Sequence, residues 1–370
     1  MDAIPKSDKL LFHRLPFVAH GDIVLPDVLV ESYSLIIRDN GESVGDKIGR
    51  SAFAQKFDAL RKETGRRGRD PFGKTPTAEI RKSQWAKWLA AEQTPAGIIV
   101  NEAVDYFASE LFEVIRKFRE ADDGWRKVQA IAVGGGFSAG RVGRLTIARA
   151  ERMLHQTGVK CTVSPIPQHP DAAGVCGAAY LAPGWMFAGF DAILGVDIGG
   201  TNIRCGAVTL KTNRSRQATR AKMIFPEHWR HADEPSRTEA INQLIEMLQR
   251  VVRKCKRKGL RVAPFIGVGC PGRVRPDGTI DRGAHTLPGT WESEKFNLPA
   301  LLAEKVPILK KQETIVVMHN DAVVQGLSQV PSMRKERDWA VLTIGTGLGN
   351  VKFTTRYGSK RSGDKRKTAR

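Results

Sequence analysis

The chain has few cysteines, few acidic residues for its many basic ones, and no long aliphatic run. Its five cysteines, Cys161, Cys176, Cys205, Cys255 and Cys270, are scattered over 370 residues with no C-x-x-C pair. That spacing excludes a disulfide scaffold and a paired-cysteine zinc module, and it fits a reducing cytosol. The start of the chain, MDAIPKSDKLLFHRL, lacks the apolar core of a secretory signal. Residues 172–190 carry no charge, but Gly174, Gly177, Pro183, Gly184 and Gly189 interrupt them. The stretch therefore reads as a buried helix and a turn, and a membrane span is not expected. A cytoplasmic protein is the expectation.

The hydrophobic fraction of 41% is enough for a sizeable core, which excludes global disorder. Lys and Arg number 59 against 39 Asp and Glu, a net +20. Such a balance favours polyanionic partners: nucleotides, phosphorylated metabolites, polyphosphate or nucleic acid. The excess gathers at 61–70, 253–261 and in the tail 354–370. No basic run interleaves aromatics as single-strand binders do, so nucleic acid is not the expected partner. The tail, with Tyr357 as its one aromatic, reads as a basic extension without a core.

Apolar spacing predicts helices near 51–61, over 101–119, 144–156 and 172–181, and one opened by the capping box Ser236-Arg237-Thr238-Glu239. Strand-like runs occur at 23–25, 34–37, 129–133 and from Ile193 onward, and 265–272, 315–321 and 339–349 each read as a buried strand delivering a turn. Several end in Gly, Pro or a polar turn. Strands alternating with helices argue for an α/β fold with function at the strand ends.

Four motifs carry chemistry. Asp197-Ile198-Gly199-Gly200-Thr201-Asn202 joins two strand-like runs. Adjacent glycines let backbone N–H groups approach phosphate oxygens, Thr201 adds a hydroxyl, and Asp197 can hold Mg²⁺ directly or through water. Alone, the motif serves equally as an ordinary hairpin turn. Gly345-Thr346-Gly347-Leu348-Gly349-Asn350 repeats the pattern after a second apolar strand, as if two lobes gripped one phosphate chain. In Met318-His319-Asn320-Asp321, Asp321 stands where a buried strand enters a helix, suited to a general base, to helix capping, or to both. His319 reads as a packed residue and not a metal ligand. Gly134-Gly135-Gly136 after a strand permits close approach of an adenosine or its α-phosphate.

Together these motifs resemble the ROK sugar kinases and regulators, within the superfamily of actin, hexokinase and the 70-kDa heat-shock proteins. DIGGTN looks like that family's first phosphate motif and GTGLGN its second. CPGRVRPDGTI (270–280) is similar to its Pro-Gly segment, HND to the segment with the catalytic Asp, GGG to its adenosine-side glycines, and 169–183 to its closing helix. The order differs: GGG and the closing helix precede DIGGTN, and the chain stops soon after GTGLG. Each motif occurs once, so the simplest reading is a circular permutation; the competing one is a homodimer of half-kinases that swap between protomers.

The resemblance implies a two-lobed, ribonuclease H-like actin/hexokinase fold, permuted. Residues 1–190 would be the C-terminal-type half, 191–353 the N-terminal-type half, and 354–370 the tail. It implies an ATP-dependent sugar kinase acting on glucose or a related hexose, with Asp321 as base and Mg²⁺ near Asp197. ATP phosphates would sit on Gly199, Gly200, Thr201, Asn202, Gly345, Thr346, Gly347 and Gly349, with Gly134, Gly135 and Gly136 on the adenosine side. Sugar contacts would come from Asn320, Asp321, Pro271, Gly272 and Thr286, which stands where the family often has Asn. His20 and Asp22 are the nearest match to the family's G-E-I-G-H sugar motif. The family's zinc motif, C-x-C-G-x-x-G-C, has no counterpart, so no structural zinc is expected. The alternatives are a non-catalytic sugar-sensing regulator and a kinase that uses polyphosphate.

Overall fold

The computed structural model describes residues 19–356 except 69, 213–217, 232–235, 310–311 and 346. Thr346 and residues 357–370 of the basic tail therefore lie outside the described residues. Two five-stranded mixed sheets organise the chain. Strands β1 (Val28–Tyr33), β2 (Arg38–Asp39) and β3 (Glu42–Ser43) come first. Helices α1 (Arg50–Arg67), α2 (Lys82–Ala90), α3 (Pro95–Ala121) and α4 (Asp123–Arg126) follow. Then come β4 (Ala130–Gly134), α5 (Arg141–Gln156), β5 (Thr162–Pro165) and α6 (Pro170–Gly177). A meander of β6 (Ala192–Ile198), β7 (Asn202–Thr212) and β8 (Ala218–Arg230) leads to α7 (Arg237–Arg257) and β9 (Val262–Cys270). The chain continues through α8 (Leu298–Lys305), β10 (Ile315–Asn320), α9 (Asp321–Leu327), β11 (Asp338–Ile344) and β12 (Leu348–Thr355).

One sheet runs β8-β7-β6-β9-β10, with an antiparallel meander and then two strands parallel to β6. The other runs β1-β12-β11-β4-β5 and has the same plan: β11, β12 and β1 are antiparallel neighbours, and β4 and β5 are parallel to β11. Its strands β11 and β12 come from residues 338–355 and the rest from 28–165, so distant parts of the chain meet in one sheet.

Alternation along the strands explains the layering. In β11, Trp339 and Val341 face the core between the sheets, while Ala340, Leu342 and Ile344 face α3 and α5. In β6, Ile193 joins the inter-sheet core, and Leu194, Val196 and Ile198 pack towards α7 and α8. Period-2 patterning with both faces apolar is what a sheet covered on both sides requires. Helices α6 and α9 fill the space between the sheets, where a Cβ added to Gly177 would lie 1.7 Å from the Val324 carbonyl oxygen.

The helices begin as capping chemistry directs. The Thr94 hydroxyl accepts from Gly97 N at 3.1 Å with Pro95 in the first turn, which starts α3 six residues before the apolar spacing alone indicated. Ser236 Oγ accepts from Glu239 N at 3.3 Å, and Gly259, with φ +68°, follows the basic last turn of α7. The uncharged stretch 172–190 divides into α6 and two short turns, and among the described residues no helix is long and apolar enough to cross a membrane.

Asn350, from the second glycine motif, stitches the chain ends together. Its Oδ1 accepts from Leu35 N at 2.9 Å and its Nδ2 donates to Leu35 O at 3.0 Å, with Asn350 1% exposed. Asn350→Ala is expected to destabilise the fold by about 2 kcal/mol, two internal hydrogen bonds at about 1 kcal/mol each, measured by urea unfolding.

Candidate functional site

Parallel strands bring their carboxyl ends together. Cys270 pairs with Asn320 across β9 and β10, and Asp197 with Gly269 across β6 and β9. In the other sheet, Thr343 pairs with Gly134. Crevices outside such strand ends are where open α/β sheets bind ligands.

At the end of β6 the chain reverses through residues 199–202. Gly199 N donates to Asn202 O at 2.9 Å and closes the turn. The Gly200 and Thr201 N–H groups at its tip hydrogen-bond no described residue. A Cβ on Gly200 would meet the Thr286 hydroxyl at 3.1 Å, so Thr286 stands against the tip. The second turn closes in the same style, with Gly345 N donating to Gly347 O at 3.0 Å. Gly349 comes to 3.2 Å of Ala322 Cβ, counted from its own added Cβ, which sets this turn against the first turn of α9. Gly135 has φ +88° and a position where a Cβ would fall 2.2 Å from Ile344 O, so only glycine brings the 134–136 loop onto β11. Gly134 approaches Gln325 of α9, and Gly136 faces open space.

Asn320 caps α9: its Oδ1 accepts from Ala322 N at 3.0 Å and Val323 N at 3.4 Å, and its Nδ2 donates to Gly272 O at 3.0 Å. Asn320 is buried and turned to protein partners, which leaves Asp321, at the first helical position, half-buried beside it. Pro271 is buried, and Gly272, with φ +99°, carries the chain past Asn320. Burial, reinforced by the Asp197 carboxylate, pushes the Asp321 carboxyl up to about 7. Burial also raises Asp197, with Arg204 opposing it and Asp171 adding to it. Arg204 Nη1 lies 3.6 Å from Asp197 Oδ2, while its Nε is engaged by Asp171 at 2.6 Å. The Cys270 thiol is raised by burial and by both Asp321 and Asp197, so all three groups share one region. Gly174 of α6 faces Asp197, with an added Cβ 2.4 Å from its carboxyl carbon.

The segment around His20 docks on the exposed edge of β10. His20 Nδ1 accepts from Met318 N at 3.2 Å, and Gly21 N donates to Met318 O at 3.0 Å. His319 Nε2 donates to Asp22 O at 3.1 Å while its Nδ1 accepts from Asn320 N at 2.7 Å, and burial lowers this imidazole to about 4. A neutral ring with one donor and one acceptor satisfies that pattern. The Asp22 carboxylate accepts from Val24 N at 3.0 Å in a local turn.

The described residues singled out by sequence thus lie on neighbouring strand ends and their turns, with Asp197 and Asp321 close enough to interact. Asn320, His20 and Asp22 hold the backbone of that region through the bonds given above. Three residues were not singled out by the sequence: Arg204 and Asp171, which act on Asp197, and His231, just past β8, which bonds Gly199 and Thr201 across the first turn. A lone histidine after a strand gives no signal of such a contact. Neither a scan against protein-family models nor a search of curated proteins finds a match for this chain.

Proposed function

We propose that this chain is an ATP-dependent sugar kinase built on a circularly permuted ROK-type fold, with two lobes that close over a central cleft and glucose or a related hexose as acceptor. The observation that carries the reading is the pair Asp321 and Asp197 at neighbouring strand ends, with Asp321 held near pH 7 between two glycine turns. A general base poised near the working pH is most effective, because it is ionised yet basic enough to take a proton. Two sheets of one strand plan, with β11 and β12 completing the sheet that β1, β4 and β5 begin, support the permuted order.

Asp321 accepts the proton of the attacking hydroxyl as the γ-phosphoryl group transfers in line. Backbone N–H groups of Gly200 and Thr201, and of the turn at 345–349, bind phosphate oxygens. Phosphoryl transfer depends mainly on positioning and charge stabilisation, so turns of this kind and one base suffice. Asp197 and Asp171 share the one guanidinium of Arg204, which leaves an excess negative charge when both are ionised and fits a divalent cation. Mg²⁺ would be held by Asp197, with phosphate and water completing its shell, and supplies charge neutralisation on the phosphates. Thr286 stands against the Gly200 tip, which supports a role for its hydroxyl towards the acceptor or the transferred group.

Coupled ADP release with Mg-ATP and a panel of hexoses tests the proposal, with polyphosphate as a second donor. Sugar-dependent turnover is the expected result; the +20 surplus makes the second donor worth including. The pH profile adds a sharper check. Because Asp321 must be ionised to act, kcat/KM is expected to fall about tenfold per pH unit below an inflection near 7. A flat profile from pH 5.5 to 8 would remove Asp321 as the base.

A further inference from the structure

We propose that His231 is a positioning residue for the first glycine turn: its imidazole grips the Gly199 carbonyl behind the tip, and so aims the Gly200 N–H as an anion donor. The inference rests on reading that turn as a phosphate cradle. His231 is 1% exposed, its Nε2 lies 2.7 Å from Gly199 O, and its own backbone N–H donates to Thr201 O at 3.0 Å. A carbonyl oxygen only accepts, so Nε2 carries the proton.

The Gly199–Gly200 peptide is trans, as no cis bond occurs among the described residues, so its C=O and N–H point in opposite directions. Holding the carbonyl from behind turns the Gly200 N–H away from His231. A hydrogen bond into an amide carbonyl also polarises the group and strengthens its N–H as a donor. Nδ1 is buried with no partner among the described residues, and among them the ring bonds through Nε2. A side chain used merely to fill space at the end of β8 would not need to bury an imidazole in this way. The grip works on a peptide with no Cβ at Gly200, where Thr286 already leaves only 3.1 Å.

The test is direct titration of Mg·AMP-PNP and Mg·tripolyphosphate against the full chain and three variants. His231→Ala removes the donor. His231→Gln places an amide N–H where Nε2 was, and His231→Asn stops at the depth of Nδ1. Ala and Asn are expected to weaken both probes about tenfold, the loss of one well-placed hydrogen bond. Gln should recover to within about threefold of wild type, and the KM for sugar should not move in any variant. Wild-type affinity in Ala and Asn, or a folded Gln variant no better than Asn, would overturn the proposal. Wild-type protein that binds both probes yet phosphorylates no sugar overturns the kinase reading and leaves His231 to be decided by the variants. Protein that binds neither probe overturns the cradle, and the role of His231 with it.

Discussion

Asp321→Asn is expected to lower kcat by at least about 10²-fold while sugar and nucleotide affinities stay close to wild type. Asn is nearly isosteric and keeps hydrogen-bonding capacity, but it cannot take the hydroxyl proton. The same substitution should raise the thermal midpoint at pH 8. The folded-state pKa near 7 lies above the ordinary 3.8, so the ionised carboxylate is disfavoured in the fold. Such a group supports the fold below about pH 3.8, and that support is lost as the pH rises through about 7. The stability gained by the Asn variant should therefore be present at pH 8 and absent at pH 3.5. A catalytic group that opposes folding at its working pH is a mark of function, since nothing structural is gained by ionising it there. A variant with normal turnover would refute the assigned base; one that loses turnover together with stability at pH 8 would make Asp321 a structural residue.

Gly177→Ala is expected to be the most damaging Gly→Ala change among the described residues. The added Cβ would stand 1.7 Å from the Val324 carbonyl oxygen and 3.2 Å from Ser328 N, both backbone atoms of the α9 segment. No rotamer change relieves a clash between main chains. Either α6 or α9 must move, and between them they carry contacts to both sheets. Overpacking of this kind costs about 3 kcal/mol or more, read as a lowered urea midpoint or as insoluble protein. Because Asp321 opens α9 and Gly174 of α6 faces Asp197, any soluble Gly177→Ala protein should also lose turnover. An unchanged midpoint would show that α6 and α9 are not packed as described.

Much of the inner architecture was legible because buried parallel strands announce themselves. The runs 265–272, 315–321 and 339–349 open on apolar residues and close on Pro-Gly, Asn-Asp or a Gly/Thr turn; β9 begins three residues earlier, at Val262, and β9, β10 and β11 end at Cys270, Asn320 and Ile344, where those turns begin. Strand β1 was not legible. The run at 23–25 read as a strand, but Ile23 and Val24 are exposed beside the Asp22 turn. The run at 34–37 read as another, but Ser34 has φ +52° and the chain there is held by Asn350. The true strand, 28–33, pairs with residues 351–355, a partner more than 300 positions away that no local pattern can signal. The site divided along the same line. Glycine turns and the Asp321 position follow from residue type and spacing. That Asn320 is consumed in capping, and that His231 clasps the first turn, depends on which strand ends meet, which only the tertiary pairing decides.

In the proposed reaction a phosphoryl group passes from ATP to a sugar hydroxyl whose proton Asp321 accepts. Its most direct test is to follow the label from γ-labelled ATP in the presence of Mg²⁺ and each hexose of a panel, with wild type and Asp321→Asn side by side. The expected result is label in a sugar phosphate, formed by wild type and reduced at least about 10²-fold in the variant. Label that stays in ATP or appears only as inorganic phosphate with every sugar, from protein that binds Mg-ATP, would contradict it.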